Sequence, residues 1–328
     1  MSPVLVTGGS GYLGTHLVAA LLRDGRPVRA TVRSAAREQE LRAALRRSGA
    51  DDGGLEVVVA ELTADDGWAE AVAGCEEVHH VATPFPAVAP DDPAELIVPA
   101  REGTLRVLRA ARDAGARRVV LTSSFVAVGY TPKPGFEYTE EDWTDPETPG
   151  LPAYPLSKVI AERTAWDFME REGGKTELVT VNPTFILGPT LSAQAGSSLQ
   201  LIAAMLTGKM PVVPRRRFGV ADVRDVADLH TRAMAAPEAR GKRFLALADG
   251  PTISYLEVAQ LLRDRLGALG EKAPTEEAPG DEAPRLIIHN DRAREELGWR
   301  PRPAETTILE SAESLRDLGL LGNDDTQR

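Results

Sequence analysis

Short apolar runs alternate with amphipathic stretches along the first half of the chain. The runs are apolar on both faces, as expected of strands buried between helical layers, and the stretches between them repeat apolar residues at helical spacing. This alternation predicts an α/β fold with a doubly wound parallel sheet. The predicted strands are Val4–Thr7, Val28–Val32, Leu55–Val59, Glu77–Val81, Val119–Thr122 and Leu178–Val181. The predicted helices are Tyr12–Arg23, Ala36–Arg47, Gly67–Val72, Ala94–Ala114 and Tyr154–Glu172.

The alternation loosens after Pro183. We therefore expect residues 1–183 to form the sheet domain and residues 184–328 to form mostly a smaller lobe, with some segments crossing back. Two stretches rich in proline and acidic residues predict surface segments, namely a long loop over Tyr130–Pro152 and an exposed connector over Glu271–Pro284. Helical patterns in the second half cover Ser197–Leu206, Val223–Ala235 and Tyr255–Leu266, with a short apolar run at Arg243–Leu247.

Composition narrows the class of protein. The net charge of −11 argues against a nucleic-acid partner, because phosphate binding depends on clustered Lys and Arg. The single cysteine, Cys75, excludes an internal disulfide and is typical of a reducing compartment. No leader-like segment is seen at the N-terminus, and no run of about 18 apolar residues predicts a membrane span. We therefore expect a cytoplasmic protein without a membrane partner.

The strongest local motif is a glycine-rich loop between the first predicted strand and the first predicted helix. Glycines permit the tight turn and the close approach of the backbone to a pyrophosphate, which the N–H groups of the helix N-terminus then bind. This context predicts a dinucleotide-binding domain of the Rossmann type over residues 1–183, with a substrate-binding lobe after it. The loop contains Gly8, Gly11, Tyr12, Leu13 and Gly14.

The end of the second predicted strand indicates which dinucleotide binds. Sites for NAD usually place an acidic residue there to accept a hydrogen bond from the ribose 2′-hydroxyl. Here Val32 stands at about that position, and no acid occurs between Gly25 and Arg37. The guanidinium of Arg33, with Arg37 close behind, suits a 2′-phosphate. The sequence therefore predicts NADP(H) as the cofactor.

Tyr154 and Lys158 form a candidate catalytic pair at the start of a predicted helix. Residues four apart share one helix face, so the two side chains can reach the same volume. A free tyrosine has a pKa of about 10. A neighbouring ammonium and an oxidised nicotinamide ring favour the phenolate, so we expect them to lower the pKa of Tyr154 towards its working range.

Small and hydroxylic residues follow two predicted central strands. Ligands bind at the carboxyl ends of the strands in open α/β sheets, so these residues are expected to face the cofactor and substrate. Ser124 is the predicted hydrogen-bond donor to a substrate carbonyl oxygen, with Ser123 as the alternative. The other strand end contains Val81, Ala82 and Thr83, whose small size lets a cofactor lie flat.

Taken together, these motifs resemble the extended short-chain dehydrogenase/reductase family. Further stretches resemble its dihydroflavonol reductase-like branch, which includes cinnamoyl-CoA reductases and yeast-type aldehyde and ketone reductases. The resemblance covers most of the chain, including the second lobe. Its residues are Thr7-Gly8, Gly11, Gly14, Val28 to Arg33, His80 to Pro84, Leu121 to Ser124, Tyr154, Lys158, Asn182-Pro183-Thr184, Leu187-Gly188-Pro189 and Asp222 to Ala227.

The resemblance implies a mechanism and further contacts. Hydride passes from the nicotinamide to the carbonyl carbon of an aldehyde or ketone, Tyr154 donates the proton, Lys158 holds the nicotinamide ribose, and Ser124 stabilises the developing oxyanion. The reaction is expected to be reversible. The residues implied to line the cofactor are Glu61 and Leu62 at the adenine, Val81, Ala82 and Thr83 along it, and Pro183 and Thr184 at the nicotinamide end.

Some features of the sequence depart from this pattern or stay open. Where plant flavonoid reductases carry an asparagine, this chain has Gly129, so the resemblance does not extend to a flavonoid substrate. The run Arg215-Arg216-Arg217 is interpreted as a solvated loop, with contact to an anionic substrate group as the alternative. Five histidines without metal-ligand spacing predict no metal site. We expect a monomer or a homodimer.

Two other functions remain open on the same motifs. A nucleotide-sugar epimerase or dehydratase on this fold would retain bound NAD, which the missing acid near Val32 disfavours. A regulator that binds NADP without turning it over would typically lack Tyr154 and Lys158, which are present here. The substrate itself is not specified, because it depends on the shape of the loops Tyr130–Pro152 and Thr190–Gly196.

Overall fold

The computed structural model describes residues 2–84, 92–193 and 196–322. Its centre is a parallel sheet of seven strands in the order β12-β7-β5-β4-β1-β2-β3. The reversal of strand order beside β1 makes the sheet doubly wound, as predicted. The strands are β1 (Val4–Thr7), β2 (Val28–Val32), β3 (Leu55–Val59), β4 (Glu77–His80), β5 (Arg118–Thr122), β6 (Glu137–Tyr138), β7 (Glu177–Pro183), β8 (Phe185–Leu187), β9 (Val212–Val213), β10 (Arg217–Phe218), β11 (Val220–Asp222), β12 (Arg243–Ala246), β13 (Ile253–Ser254), β14 (Glu276–Glu277) and β15 (Ile287–Ile288).

Helices cover both faces of this sheet. One layer contains α1, α2 and α7, and the other contains α3, α4 and α5. Alternate residues of one strand serve opposite layers, since Val6 packs with the first and Leu5 with the second. The helices are α1 (Tyr12–Arg23), α2 (Ala36–Arg47), α3 (Trp68–Val72), α4 (Ala94–Asp113), α5 (Ala153–Glu172), α6 (Ser197–Leu206), α7 (Val223–Ala235), α8 (Tyr255–Leu266), α9 (Asp291–Leu297) and α10 (Ala304–Asp317).

A smaller lobe has its own apolar core. Leu199 and Ile202 of α6, Leu262 of α8 and Ile308 of α10 are fully buried in it. Short strand pairs border this core: β8 with β11, β9 with β14, and β10 with β13. Elements after residue 183 also join the main sheet, because β12 pairs with β7 and α7 packs against α1. The domain boundary at residue 183 stays a prediction.

The second half is tied to the sheet by a buried arginine. Arg118 of β5 donates hydrogen bonds to the carbonyl oxygens of Ala233 (2.8 Å) and Met234 (3.0 Å) at the end of α7. It also donates to the carboxylate of Glu177 at 2.8 Å. The last carbonyls of a helix have no partner within the helix, so this guanidinium satisfies them and fixes α7 on the sheet.

The predicted elements are confirmed apart from small shifts at their ends. Strand β4 ends at His80, one residue early, and β7 extends to Pro183 because β12 continues to pair with it. The predicted loop Tyr130–Pro152 and the predicted connector Glu271–Pro284 each contain a two-residue strand, β6 and β14. The connector is also not wholly exposed, since Ala273 is buried.

Neither a membrane-spanning helix nor a metal-binding cluster is found among the described residues. No helix in those ranges has both the length and the apolar character that a membrane crossing requires. No cluster of three or more His, Cys, Asp or Glu side chains suited to a metal ion occurs in the same ranges.

Two histidines meet in the interior between the sheet and α7. The rings of His79 on β4 and His230 on α7 lie 5.6 Å apart, and both are fully buried. Neither ring nitrogen of His79 has a hydrogen-bond partner among the described residues. Burial, with a smaller effect of Arg26, lowers the pKa of His79 to about 3, so the ring is neutral in the folded protein at neutral pH.

This burial makes stability depend on pH. An unfolded histidine takes up a proton near pH 6.5, whereas folded His79 stays neutral down to about pH 3, so the unfolded state binds more protons between these values. Stability therefore falls as the pH falls through this window. We expect His79→Leu to remove about 3 kcal/mol of that loss, measured by urea unfolding from pH 7 to pH 4.

The matched control is His289→Leu, since the His289 side chain is 37% exposed and lies outside this interior. It should retain the wild-type dependence of unfolding free energy on pH. Carboxylate titration is common to the wild type and His79→Leu and cancels in that comparison. An unchanged pH dependence in His79→Leu would contradict the account.

Candidate functional site

One cleft runs along the carboxyl edge of the parallel strands and into the smaller lobe. Its volume is about 1200 Å³, which is large enough for a dinucleotide and a small second molecule. Every residue predicted for the site lies along it: Gly8, Gly11, Tyr12, Leu13, Gly14, Arg33, Arg37, Glu61, Leu62, Val81, Ala82, Thr83, Ser124, Tyr154, Lys158, Pro183 and Thr184. The geometry thus brings the predicted residues together, while their individual roles stay predictions.

The glycine loop is built for close approach. Gly8 has φ +67°, a conformation that side chains disfavour, and a Cβ atom there would lie 3.0 Å from Ala82 Cα. A Cβ atom at Gly14 would lie 2.2 Å from the carbonyl oxygen of Gly8, so only glycine lets α1 pack here. No side chain caps the start of α1, which leaves its first N–H groups facing the cleft. This cradle fits a pyrophosphate.

Hydroxyl groups hold the loop against its neighbouring strands. Thr31 Oγ1 accepts a hydrogen bond from the N–H of Gly8 at 3.1 Å. Thr7 Oγ1 accepts from the N–H groups of Val81 (3.1 Å) and Ala82 (3.0 Å), which fixes the backbone at the end of β4. The small residues predicted to let a cofactor lie flat are therefore held in place by β1.

Two arginines border the cleft after β2. Arg33 is exposed, and within the described ranges no hydrogen bond or ion pair reaches its side chain. Arg37 lies one turn further on and forms an ion pair with Glu40 at 2.8 Å. Val32, at the end of β2, is buried. The edge therefore presents the guanidinium of Arg33, unpaired among the residues described, and the Arg37–Glu40 pair, and no acidic residue occurs from Val32 to Arg37.

The adenine end contains a residue that the sequence reasoning missed. Trp68 lines the cleft beside Glu61 and Leu62, and its indole N–H donates to the carbonyl oxygen of Glu61 at 3.1 Å. Leu62 packs tightly on α4, where a Cβ atom on Gly103 would lie 2.9 Å from Leu62 Cβ. A lone tryptophan after a run of acids gave no sequence signal for this position.

Tyr154 and Ser124 meet across the cleft. Tyr154 lies in the first turn of α5, and Ser124 follows β5. Burial raises the pKa of Tyr154, and its side-chain hydrogen bond with Ser124 lowers that pKa only in part. In the protein itself the pKa is therefore raised, and the lowering expected beside an oxidised nicotinamide stays a prediction. The physical reason is that Lys158 contacts other groups, so desolvation of the phenolate dominates.

Lys158 is buried behind the tyrosine. Its Nζ atom donates hydrogen bonds to Thr83 Oγ1 (3.1 Å) and to the carbonyl oxygen of Thr122 (3.3 Å). Burial lowers the pKa of Lys158 to about 8, and the carboxylate of Glu162 acts in the opposite direction. The ammonium is therefore held beside the ends of β4 and β5, in the lining of the cleft.

Ser123 and Ser124 have different partners, which distinguishes the two candidates. Ser123 Oγ donates a hydrogen bond to the carboxylate of Glu162. Ser124 is the serine bonded to Tyr154, and its Oγ also accepts from the N–H of Val126 at 3.3 Å. Both serines line the cleft, and Ser124 is the one that is hydrogen-bonded to Tyr154.

Glu162 is the centre of a buried polar network that the sequence reasoning missed. It lies on α5, four residues after Lys158, and its carboxylate is fully buried. Asn182 of β7 donates to it at 2.8 Å, and Arg243 of β12 donates to it at 2.7 Å. Asn182 also donates to the carbonyl oxygen of Ser124 at 3.2 Å. The network therefore joins α5 to the ends of three strands.

The lobe end of the cleft is aromatic. The ring of Phe218 lies 4.7 Å from that of Phe185 and 5.2 Å from that of Tyr255. Gly129 lies beside Phe125, whose Cζ would be 2.3 Å from a Cβ atom at that position. No asparagine side chain fits there without displacing Phe125. The aromatic cluster comes from distant segments, so no local pattern could have predicted it.

Tyr12 has a second role besides lining the cleft. Its hydroxyl donates to the carbonyl oxygen of Gly188 at 2.7 Å, and the ring of His16 stacks edge-on against it. His16 Nε2 in turn lies 2.8 Å from the carbonyl oxygen of Pro189. The glycine-loop helix is thus bonded to the segment that leads into the lobe.

Gln194 and Ala195, in the loop predicted to affect substrate choice, lie outside the described residues.

The chain is similar in sequence to known proteins over most of its length. A family model described as the NAD dependent epimerase/dehydratase family matches residues 4–246. The chain belongs to this family. A cinnamoyl-CoA reductase of Medicago truncatula is 34% identical over 322 residues, covering 96% of this chain and 95% of that protein. A dihydroflavonol 4-reductase of Hordeum vulgare is 35% identical over 272 residues, covering 80% of this chain and 75% of the relative.

Solved structures show the same architecture. The yeast methylglyoxal/isovaleraldehyde reductase Gre2, complexed with NADPH, superposes with a TM-score of 0.82 at 25% sequence identity. The superposition covers 97% of this chain and 99% of Gre2. The predicted resemblance to the extended short-chain dehydrogenase/reductase family and the predicted fold class are confirmed.

The Glu162 network generates a stability prediction. Glu162→Gln leaves the guanidinium of Arg243 buried without its counter-charge, and loss of one partner of a buried pair costs about 3–5 kcal/mol. We expect a loss of that size in the free energy of urea unfolding. In the double variant Glu162→Gln/Arg243→Gln, part of the loss should be recovered, because the uncompensated charge is gone.

Glu170→Gln is the matched control, since Glu170 is exposed on the same helix. It should change the unfolding free energy by less than about 0.5 kcal/mol. Equal stability of Glu162→Gln and Glu170→Gln would show that the buried pair does not hold the strand ends.

Proposed function

We propose that this protein is an NADPH-dependent reductase that transfers hydride to the carbonyl carbon of an aldehyde or ketone. The observation that carries the proposal is the hydrogen bond of Tyr154 with Ser124, in the same cleft as the glycine cradle and with Lys158 behind it. A proton donor, an oxyanion donor and a dinucleotide cradle are the parts that such a reaction requires. Reductases among the relatives support the same class of reaction.

The bound cofactor would supply the hydride. Gly8, Gly11 and the start of α1 would hold the pyrophosphate, and Arg33 and Arg37 the 2′-phosphate. Lys158 would hold the nicotinamide ribose. The other residues proposed to line the cofactor are Tyr12, Leu13, Gly14, Glu61, Leu62, Val81, Ala82, Thr83, Pro183 and Thr184.

Two protein side chains would bind and protonate the carbonyl oxygen of the substrate. Ser124 Oγ and Tyr154 Oη both donate hydrogen bonds to the carbonyl oxygen, which polarises the carbon for attack. As negative charge develops on this oxygen, Tyr154 transfers its proton to it and the alcohol forms. In the reverse direction Tyr154 accepts the proton of the alcohol. The ammonium of Lys158 stabilises the phenolate left on Tyr154.

The proposed preference for NADPH rests on Arg33 and on the lack of an acidic residue at the end of β2. Although the family carries NAD in its description, the end of β2 in this chain offers Val32 and no carboxylate for a ribose hydroxyl. The free guanidinium of Arg33 suits a phosphate instead. The same feature argues against an epimerase that retains NAD.

Tyr154→Phe tests the proton transfer. We expect its kcat for reduction of an aldehyde to fall by about 10²–10⁴-fold, because the general acid is lost. The NADPH dissociation constant, measured by fluorescence titration, should stay within a few-fold of the wild type. Near-normal turnover would remove Tyr154 from the mechanism.

Ser124→Ala and Ser123→Ala give a matched pair for the oxyanion role. Ser124→Ala should lose turnover with little change in NADPH binding. Ser123→Ala should keep most of its turnover, because that hydroxyl faces Glu162. Equal losses in the two variants would contradict the assignment.

Arg33→Ser tests the cofactor preference. Charged hydrogen bonds contribute about 1.5–3 kcal/mol, so kcat/KM for NADPH should fall about 10- to 100-fold while that for NADH changes little. Arg46→Ser is the control, since Arg46 lies at the exposed far end of α2, the helix that follows Arg33, and pairs with Asp52 at 3.5 Å. A wild-type protein that prefers NADH would refute this assignment directly.

A further inference from the structure

The run Arg215-Arg216-Arg217 does not behave as one solvated patch. Arg215 donates to the carbonyl oxygen of Ala278 at 3.1 Å and lies 3.8 Å from Glu277. Arg217 is largely buried and forms an ion pair with Glu257 at 3.0 Å. For Arg216, by contrast, no hydrogen bond or ion pair reaches the side chain from the ranges that the structure describes. The middle arginine alone keeps its charge uncompensated.

The backbone fixes Arg216 at the lobe end of the cleft. Its N–H donates to the carbonyl oxygen of Pro214 at 2.8 Å, and its own carbonyl oxygen accepts from the N–H of Tyr255 at 3.2 Å. Arg216 lines the cleft together with Tyr130, Phe218 and Tyr255. Arg216 is exposed and also belongs to the lining of the cleft, so its charge is accessible to a molecule bound there.

Tyr130 links Arg216 to the reacting groups. Burial raises the pKa of Tyr130, and the charge of Arg216 lowers it part of the way back. Tyr130 in turn adds to the raised pKa of Tyr154, after the larger effect of burial. Because these effects require proximity, Tyr130 lies near both the guanidinium and the phenol of Tyr154. All three residues line one cleft, so a substrate whose carbonyl lies at Tyr154 can extend along Tyr130 towards Arg216.

The charge at this end of the cleft is positive. The carboxylates that line the described cleft are Glu61, which follows β3, and Glu95, on α4, so neither belongs to the lobe. On the lobe side the cleft is lined by Arg216 and Arg217 in a protein whose net charge is −11. Next to them the rings of Phe185, Phe218 and Tyr255 form an aromatic wall.

We propose that Arg216 binds an oxyanion on the substrate, so that the preferred substrates are planar aromatic aldehydes or ketones with an anionic group remote from the carbonyl. This inference rests on the proposed reductase function. The aromatic wall accommodates the ring, Ser124 and Tyr154 bind the carbonyl oxygen, and Arg216 pairs with the anion. A carboxylate and a phosphate share this chemistry, since a guanidinium binds both through paired hydrogen bonds.

The test compares charged and neutral forms of one substrate. The probes are 4-formylbenzoate, 3-formylbenzoate, the methyl esters of both, and 4-formylphenyl phosphate, each reduced with saturating NADPH at low ionic strength. For the wild type we expect kcat/KM to be about 10- to 100-fold higher for at least one of the two formylbenzoates than for its methyl ester. The phosphate probe shows which oxyanion is preferred.

Arg216→Gln should remove this advantage through KM, with kcat and the ester reactions little changed. Arg215→Gln, the neighbouring arginine with its own partners, should behave as the wild type. Raising the salt concentration should weaken the advantage in the wild type and leave Arg216→Gln unaffected. Equal kcat/KM for acids and esters in the wild type, or an unchanged advantage in Arg216→Gln, overturns the proposal.

The two proposals fail separately. Reduction of the esters by all three proteins supports the reductase function whatever the result for the acids. Should no probe be reduced, calorimetric titration of 4-formylbenzoate into each protein with NADP⁺ gives the same comparison without turnover. Tighter binding of the acid to wild type and Arg215→Gln than to Arg216→Gln supports the role of Arg216, and equal binding refutes it.

Discussion

A single buried carboxylate determines how the reacting end of this site is assembled. Glu162 receives hydrogen bonds from Ser123 after β5, from Asn182 on β7 and from Arg243 on β12, so one side chain joins α5 to three strands. A buried charge is costly unless it is paired and hydrogen-bonded, and here the arginine and the neutral donors meet that requirement together. Because Tyr154 and Lys158 precede Glu162 at intervals of four residues on the same helix, fixing Glu162 also fixes the pair.

The glycine-loop end of the cleft is shaped in a different way, because it depends on glycines that have no side chain. Gly8 and Gly14 allow contacts that any Cβ atom would block, and the uncapped start of α1 leaves donors for an anion. Tyr12, the first residue of that helix, bonds to Gly188 and so connects the cradle with the lobe. Both ends of the cleft therefore depend on the same central sheet, and the lobe is joined to it through polar contacts to backbone carbonyls.

Local patterns were sufficient for the framework but not for the contacts between distant segments. The strands β1, β2 and β3 and the helices α1 and α2 have the predicted bounds, because their apolar spacing and glycine ends are local properties. The strands β6 and β14 were missed, since two-residue strands exist only through their partners. The Glu162 network and the aromatic wall were missed for the same reason. The raised pKa of Tyr154 in the protein itself was not predicted, because sequence spacing shows a neighbouring lysine but not the partners that hold it.

That raised pKa has a consequence for the direction of the proposed reaction. A buried phenol with a pKa above its usual range stays protonated at neutral pH, and this is the form that a carbonyl reduction requires at its start. Oxidation of the alcohol would instead start from a phenolate, which burial disfavours. Lys158, with a pKa near 8, is mostly protonated at neutral pH and can stabilise the phenolate once the proton has left. In the proposed reduction the buried phenol therefore starts protonated, and the ammonium that stabilises the phenolate is already in place before the proton is transferred.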